Sequence, residues 1–174
     1  IRGQESRTSL NKVSILARKL TSVYARITTK MEFVPEVHQH SAGLILYYDN
    51  MNYINLRKYY SELWDRVHCP IIHLENGVKT EFLNTRIPVE DKPIYLAPLY
   101  RRKKIPGLSG AIMGKTMRRL AVFLILQDFR IEYCKYGEFT GTMVGITCAD
   151  RVLHKKCADF DFFEYKADES CMVE

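Results

Sequence analysis

The chain lacks the features that mark membrane, disulfide-rich and zinc-binding proteins. It has no apolar run long enough to cross a bilayer, because the longest candidate, residues 120–126, is far shorter than a membrane span. Its cysteines number five, an odd count, and no two of them form a C-x-x-C pair. Neither a disulfide framework nor a zinc site is therefore expected. We interpret the cysteines as reduced thiols, some of them buried in strands.

The N-terminus lacks both a signal peptide and an initiator methionine. Its first residues, IRGQE, contain no apolar segment of the kind that targets a chain for secretion. We therefore expect a cytoplasmic protein and a chain that is a piece of a longer one. The 174 residues and the hydrophobic content of 47% suit one domain with a hydrophobic core and argue against disorder.

Acidic residues are almost missing from one segment, residues 101–130. It holds eight Lys or Arg and a single acid, Asp128, so it carries +7, and the rest of the chain sums to −1 of the net +6. A generally basic surface for nucleic acid or a membrane is therefore not expected. Within the segment, residues 117–127 could form a basic amphipathic helix, or the segment could be a charged surface excursion.

Helical periodicity is scarce elsewhere, and short strand signals take its place. Both faces of the run 42–48 are largely apolar, which predicts an interior strand. Asn76 and Gly77 tolerate positive φ and predict a hairpin turn. We expect strands near residues 24–33, 42–48, 53–60, 67–74, 78–83, 94–100, 142–148 and 157–165. This spacing predicts an all-β, antiparallel sandwich or barrel, with an irregular or helical stretch near 101–130.

Short motifs occur in a fixed order along the chain. They are RGQES at 2–6, LARK at 16–19, EFVPE at 32–36, AGLILYYDNMNYINL at 42–56, FTGTMVGITCAD at 139–150 and ADFDFFEY at 158–165. Each is weak alone, but the ordered set resembles the C-terminal domain of glycoside hydrolase family 43 β-xylosidases. The resemblance implies a concanavalin A-like jelly-roll β-sandwich over residues 1–166 and a C-terminal tail at 167–174.

The same resemblance implies a non-catalytic accessory domain. The family carries its catalytic carboxylates on a separate N-terminal five-bladed β-propeller, which this chain lacks. On this interpretation the chain packs on such a propeller and hydrolyses nothing alone. Its parent would be a β-xylosidase or α-arabinofuranosidase that acts on xylo-oligosaccharides, with homo-oligomerisation left open. No cofactor, nucleic acid or membrane is expected as a partner. A free-standing carbohydrate-binding module is the alternative.

Phe139 is the residue that the resemblance connects with substrate. In the family, a Phe at the start of the FTG motif sits on a loop that reaches the active-site pocket of the propeller. An aromatic wall there would exclude water and limit the depth of the site. Gly137 and Gly141 flank Phe139, which suits an exposed loop. The alternative is that Phe139 caps the core of the sandwich.

Two carboxylates, Asp159 and Asp161, are expected on one face of the last predicted strand. Related sandwiches often hold a structural Ca²⁺ where the first and last strands meet, so Glu5 could join one of them as a ligand. The alternative is a pair of solvated strand carboxylates. We do not interpret them as a catalytic pair, because no pocket-forming scaffold accompanies them.

Two further groups have a binding interpretation beside a structural one. His38 and His40 could share a face and bind a metal, or lie exposed in a loop. Trp64, with Tyr59 and Tyr60, could form a platform for stacking on a sugar, or could belong to the core or a domain interface.

The resemblance is interrupted after Leu96. A one-nucleotide shift converts codons for YGENYEEIGSV, which such a domain would carry, into codons for MGKTMRRLAVF, the residues found at 113–123. We therefore hypothesise that residues 97–131 are read out of frame and that the frame is restored just before Tyr133. On this hypothesis the charge of +7 is not a binding patch.

Overall fold

The structure is a computed structural model that describes residues 1–22, 24–81, 87–102, 111–116, 119–126 and 141–167. Every regular element within these ranges is a β-strand. The strands are β1 (Ser14–Lys19), β2 (Tyr24–Glu32), β3 (His40–Asp49), β4 (Asn52–Ser61), β5 (Arg66–Cys69), β6 (Ile71–Glu75), β7 (Val78–Glu81), β8 (Ile87–Pro88), β9 (Ile94–Arg102), β10 (Ala111–Thr116), β11 (Arg119–Leu126), β12 (Met143–Asp150) and β13 (Asp159–Ala167). The described part contains no helix with the length and hydropathy that a membrane crossing requires.

The strands form two sheets. The eight-stranded sheet has the order β1-β12-β3-β4-β5-β8, with β6 paired to β4 and β7 paired to β6. The five-stranded sheet has the order β10-β11-β9-β2-β13. Apolar side chains of β3, β4 and β12 from the larger sheet share one buried cluster with those of β2 and β9 from the smaller sheet. The predicted all-β sandwich is therefore confirmed.

The strand predictions hold for most elements. The strand β3 is interior, since it pairs with β12 on one side and β4 on the other. The run 67–74 is divided at Pro70, because proline has no N–H to donate to a ladder. The strands β1, β8 and β10 were not predicted, and β10 lies where an irregular or helical stretch was expected. Residues 119–126 form a strand, so the helix considered for 117–127 is wrong there.

One strand pairing departs from the antiparallel pattern. Strand β11 pairs with β9 in parallel, whereas every other pair among the named strands is antiparallel. The departure falls inside the segment 97–131, where the family motifs are interrupted. Residues 103–110, 117–118 and 127–140 of the basic segment and its flank lie outside the described residues, as do Cys134, Cys171 and most of the predicted tail.

The described cysteines are free thiols, as predicted. Cys69 and Cys148 are buried in β5 and β12, and Cys157 is exposed. Burial raises the pKa of Cys69 to about 12 and the pKa of Cys148 to about 11. Both buried thiols are therefore protonated and unreactive at neutral pH.

Two hairpin turns lie against each other at one end of the larger sheet. The predicted turn between β6 and β7 is confirmed, with Asn76 and Gly77 at φ values of 48° and 78°. The Asn76 N–H donates to Oδ1 of Asn52 at 2.9 Å, and the Gly77 N–H donates to the carbonyl of Met51 at 3.0 Å. These bonds fix the register of β6 and β7 beside the β3–β4 hairpin.

Candidate functional site: an arginine-lined cleft

A cleft of about 440 Å³ lies on the outer face of the larger sheet, opposite the core. The strand β4 alternates there: Ile54 and Leu56 point into the core, whereas Asn55 and Arg57 line the cleft. The remaining lining comes from the N-terminal segment, the segment before β3, the strands β3, β6 and β7, and the end of β12 with the loop that follows it. The full lining set is Ser6, Arg7, Thr8, His38, Gln39, Ser41, Tyr53, Asn55, Arg57, Tyr59, Ile72, Leu74, Lys79, Glu81, Ala149 and Arg151.

The N-terminal segment is fixed along β12 and forms one wall of this cleft. Gln4 forms a parallel bridge with Ala149, and its carbonyl accepts the N–H of Asp150 at 3.0 Å. A Cβ on Gly3 would lie 2.7 Å from the Asp150 nitrogen, so only glycine permits this close approach. The Asn50 side chain then donates to the Thr8 carbonyl at 3.1 Å. These contacts hold the loop that carries Arg7.

Arg7 is a buried cation, with 4% of its surface exposed. Its Nη1 donates to Oγ of Ser41 at 2.7 Å, and its Nη2 donates to the Ser41 carbonyl at 3.1 Å. Its Nε is buried and has no partner among the described residues. Burial, with the like charge of Arg57, lowers the pKa of Arg7 to about 10. A guanidinium held in this way is desolvated and only partly compensated.

Arg57 lies in the same cleft. Its guanidinium carbon is 4.9 Å from the centre of the Tyr59 ring, in cation–π contact. Its Nε is also buried without a partner among the described residues. Burial lowers the pKa of Arg57, while the charge of Glu81 acts in the opposite direction. The charges of Arg7 and Arg57 both act on the hydroxyl of Tyr53, whose pKa is nevertheless raised by burial.

The cleft is electropositive as a whole. Its lining contains Arg7, Arg57, Lys79 and Arg151 against one acid, Glu81. Within the described ranges, neither Arg7 nor Arg57 forms an ion pair with a carboxylate, although other cations do. Chemically, the arrangement offers two guanidinium groups beside a tyrosine ring and is suited to a planar anion.

Asp150 organises the loop that follows β12. Its Oδ1 accepts the N–H groups of Val152 and Leu153, and its Oδ2 accepts those of Lys155 and Lys156, at 2.8 to 3.1 Å. Burial would raise the pKa of this carboxyl, but these four bonds hold it well below its usual range. The loop residue Arg151 is thereby placed at the rim of the cleft.

The predicted site residues are not brought together. Phe139 lies outside the described residues, two positions before the described chain resumes at Gly141. Oε1 of Glu5 lies 3.1 Å from Nε2 of His154, while the Asp161 carboxylate pairs with Lys30. Within the described ranges, no three His, Cys, Asp or Glu side chains are placed to hold a metal ion. A Ca²⁺ bound by Glu5, Asp159 and Asp161 stays a prediction without support here.

The prediction that Asp159 and Asp161 share one face of the last strand, β13, is wrong. A β-bulge shifts the register between Phe160 and Phe162, so Asp161 is the extra residue opposite β2. Phe160 and Phe163 both pack on the core, which strict alternation would not allow. Both carboxylates are exposed.

The two histidines have separate environments. His38 is exposed and bonds to Glu62 through Nδ1 at 2.8 Å. His40 is buried at the start of β3, so the expectation that it lies exposed in a loop is wrong. The backbone N–H of Glu36 donates to its Nδ1 at 3.3 Å. No shared metal site results.

The aromatic group also divides. Trp64 is 40% exposed, and its ring centre lies 5.0 Å from that of His68. Tyr60 bonds to Asp65, whereas Tyr59 lines the arginine cleft. The three rings therefore do not form one platform.

Sequence reasoning missed the cleft because its cations are far apart along the chain. Arg7, Arg57, Lys79 and Arg151 lie 22 or more residues from one another in the sequence. One signal was available: Tyr53, Asn55 and Arg57 alternate with the apolar residues Ile54 and Leu56. That alternation indicates an outer face with Arg57 on it.

The chain matches the family model described as "Beta xylosidase C-terminal Concanavalin A-like domain" over residues 1–166. It is 29% identical over 167 residues to "Beta-xylosidase" of Bacillus subtilis (strain 168) and 31% identical over 170 residues to "Putative beta-xylosidase" of Escherichia coli (strain K12). Each match covers 94% of this chain and 31% of the relative.

Solved structures give the same picture. The xylan beta-1,4-xylosidase from Bacillus halodurans C-125 superposes with a TM-score of 0.78 at 31% identity, over 95% of this chain and 32% of that one. A family 43 protein from Bacillus licheniformis superposes with a TM-score of 0.77 at 20% identity, which shows the shared fold. The chain thus spans about a third of the length of the relatives it matches.

Proposed function

This chain belongs to the family of β-xylosidase C-terminal concanavalin A-like domains, and from that premise we propose that it is the non-catalytic accessory domain of a family 43 glycosidase. Its partner is a catalytic domain of the same parent chain, the five-bladed propeller of the family. The parent acts on xylo-oligosaccharides. The sandwich packs against the catalytic domain and helps to shape the substrate pocket.

The observation that carries this proposal is the difference in coverage. Relatives match 94% of this chain with only 31% of their own length, so the matched part is a minor portion of each relative. The described residues already form a two-sheet sandwich with its own core. Several of their carboxylates are engaged by cations, as in Glu36 with Lys156 and Asp161 with Lys30.

Phe139 is the proposed contact with the shared pocket. The chain that follows it enters β12, which lies second in the larger sheet between β1 and β3. Gly141 has φ of 120° and open space around its Cα, which suits a loop leading out of the sandwich. A phenyl ring on that loop would close the pocket against water.

The experiment is substitution in the parent enzyme. Phe139→Ala is expected to lower kcat/KM on a short xylo-oligosaccharide by about tenfold, the effect of losing one apolar pocket contact. The melting temperature should be unchanged. Phe162→Ala, at a partly exposed ring on the smaller sheet, is the matched control and should leave kcat/KM unaltered. Equal effects of the two variants would refute the role of Phe139.

A free-standing carbohydrate-binding module is less well supported. Such a module needs a row of exposed aromatic rings on one sheet face. Among the described residues, the exposed aromatic side chains are Trp64, in the turn between β4 and β5, and Phe162, on β13 of the smaller sheet, so they do not form a row on one sheet face. Soluble binding of this chain to neutral xylan would favour the module instead.

A further inference from the structure

The two arginines of the cleft pose an energetic problem that the accessory role does not solve. Arg7 is almost fully buried. The positive charges of Arg57 and Arg151 lie near enough to repel its guanidinium. Moving a guanidinium out of water costs several kcal/mol unless an opposite charge compensates it. Among the described residues, Arg7 has the hydroxyl and carbonyl of Ser41, and Arg57 has the Tyr59 ring and the more distant charge of Glu81, with no ion pair to either arginine.

The unused donors call for a hydrogen-bond acceptor, and the positive charges of the two arginines favour an anionic one. The Nε atoms of Arg7 and Arg57 are both buried, and both lack partners within the described part of the chain. Arginine presents its N–H groups as a planar fork that matches a carboxylate in two parallel hydrogen bonds. Other cations of this sandwich, such as Lys30 and Lys156, do form ion pairs with carboxylates.

The rest of the lining suits a sugar ring. Tyr59 offers an aromatic face beside Arg57, and Tyr53 contributes a second ring. Ser6, Thr8 and Gln39 add polar side chains to the lining, where they could meet sugar hydroxyls. The volume of about 440 Å³ is within the range of small-molecule sites and accommodates one or two sugar rings.

We propose that this cleft is a binding site for an acidic sugar, whose carboxylate lies between Arg7 and Arg57 and whose ring lies against Tyr59. The ligand class is a uronic acid, free or as a substituent on an oligosaccharide. The site is separate from the pocket proposed for Phe139. The sugar part of this inference rests on the proposed function, whereas the anion part rests on the arginines alone.

The test is a titration of the purified 174-residue chain by calorimetry at constant ionic strength. The probes are sodium glucuronate, xylose and sodium sulfate. Glucuronate is expected to bind saturably, xylose not to bind at the same concentrations, and sulfate to bind at least about tenfold more weakly, since it lacks the sugar ring. Sulfate binding as tight as glucuronate, or no binding of glucuronate, would overturn the proposal.

Variants locate the site. Arg57→Gln should weaken glucuronate binding by about thirtyfold, since it removes one member of a charged hydrogen-bonded pair. Arg57→Lys keeps the charge without the fork and should weaken it by about tenfold. Arg26→Gln makes the same charge change at an exposed position of β2 in the other sheet and should leave binding unchanged. Circular dichroism and melting verify that each variant is folded, and equal binding by Arg57→Gln and Arg26→Gln would refute the site.

A parallel assay on an aryl xyloside separates this inference from the proposed function. Turnover by the chain alone would refute the accessory role and leave glucuronate binding untouched. Loss of glucuronate binding with no turnover would refute the site and leave the accessory role standing.

Discussion

The Nε2 atom of His40 lies 3.4 Å from Oδ1 of Asp150, and the two residues are also paired across β3 and β12. Nδ1 of His40 accepts the N–H of Glu36, so the ring proton belongs on Nε2, where it faces the carboxylate. Asp150 thereby connects His40, the first residue of β3, to the loop after β12, in which four backbone N–H groups donate to its carboxylate. It is the best-connected carboxylate of the described structure.

Asp150→Asn is expected to lower the free energy of unfolding by about 2–4 kcal/mol. The amide retains one oxygen, while its NH₂ group would face two backbone donors that Oδ2 now satisfies. Urea denaturation measures the loss. Asp159→Asn, at an exposed carboxylate, is the control and should change stability by less than about 0.5 kcal/mol. A loss no larger than that of the control would contradict the role given to Asp150.

The depressed pKa of Asp150 also predicts that the chain loses stability in acid. Its folded pKa is depressed below the ordinary value of 3.8, so its contribution is complete above that pH. The contribution is lost as pH falls below 3.8 toward the folded pKa, because the unfolded state then binds the proton more readily. Denaturation at several pH values should show a steeper acid loss for the wild-type chain than for Asp150→Asn. Parallel curves would count against the four-amide arrangement.

Lys58 is a buried cation on the core side of β4. Its side chain is fully buried, and its Nζ donates to the Lys92 carbonyl at 3.2 Å. Burial lowers its pKa, with the charge of Asp91 opposing the shift. Lys58→Met should therefore raise the free energy of unfolding at pH 7 by about 1 kcal/mol, as for other replacements of buried charge by apolar groups. Lys166→Met, at an exposed position, is the control.

The same cation sets a dependence at high pH. A lysine whose folded pKa lies below 10.5 destabilises the folded state while it is charged, and this cost disappears as pH rises toward 10.5. The difference in melting temperature between Lys58→Met and the wild-type chain should therefore become smaller as pH rises toward 10.5. A difference in melting temperature that stays constant with pH would show that the buried charge of Lys58 does not cause it.

Gly77→Ala tests the turn that fixes β6 and β7 at the edge of the cleft. At φ of 78° an added Cβ costs about 1–2 kcal/mol, and it would also contact the Met51 side chain. The matched variant Asn76→Gly keeps the positive φ at the neighbouring position and should cost less. Chemical denaturation compares the two, and a larger loss for Asn76→Gly would contradict the account of this turn.

The frame hypothesis is tested at the gene. If residues 97–131 are read out of frame, resequencing will show a one-nucleotide disturbance on each side of that segment. A chain with the frame restored should melt at a higher temperature, because a native hairpin would cover strand edges that unrelated residues pair poorly. An uninterrupted frame in independent reads would refute the hypothesis, as would a cooperative, high-temperature melt of the present chain.

The sequence predicted most of the sandwich because its signals are local. The apolar faces of 42–48 and the Asn76-Gly77 turn depend on neighbouring residues alone. The strand β1 was missed because Leu16 is exposed and the strand follows no clear alternation. The cleft could not be predicted, since Arg7 and Arg57 meet only after the N-terminal segment lies along β12. The β-bulge at Asp161 misled the prediction of a shared carboxylate face for a similar reason: register is set by the partner strand.

The most direct measurement of the central claim is the hydrolysis of an aryl xyloside by the purified 174-residue chain alone. The account predicts no turnover above the buffer rate, because the chain is an accessory sandwich whose catalytic carboxylates reside on another domain. It also predicts turnover when the parent enzyme that contains this domain is assayed under the same conditions. Measurable turnover by the isolated chain, abolished by substitution of one of its own carboxylates, would contradict the account.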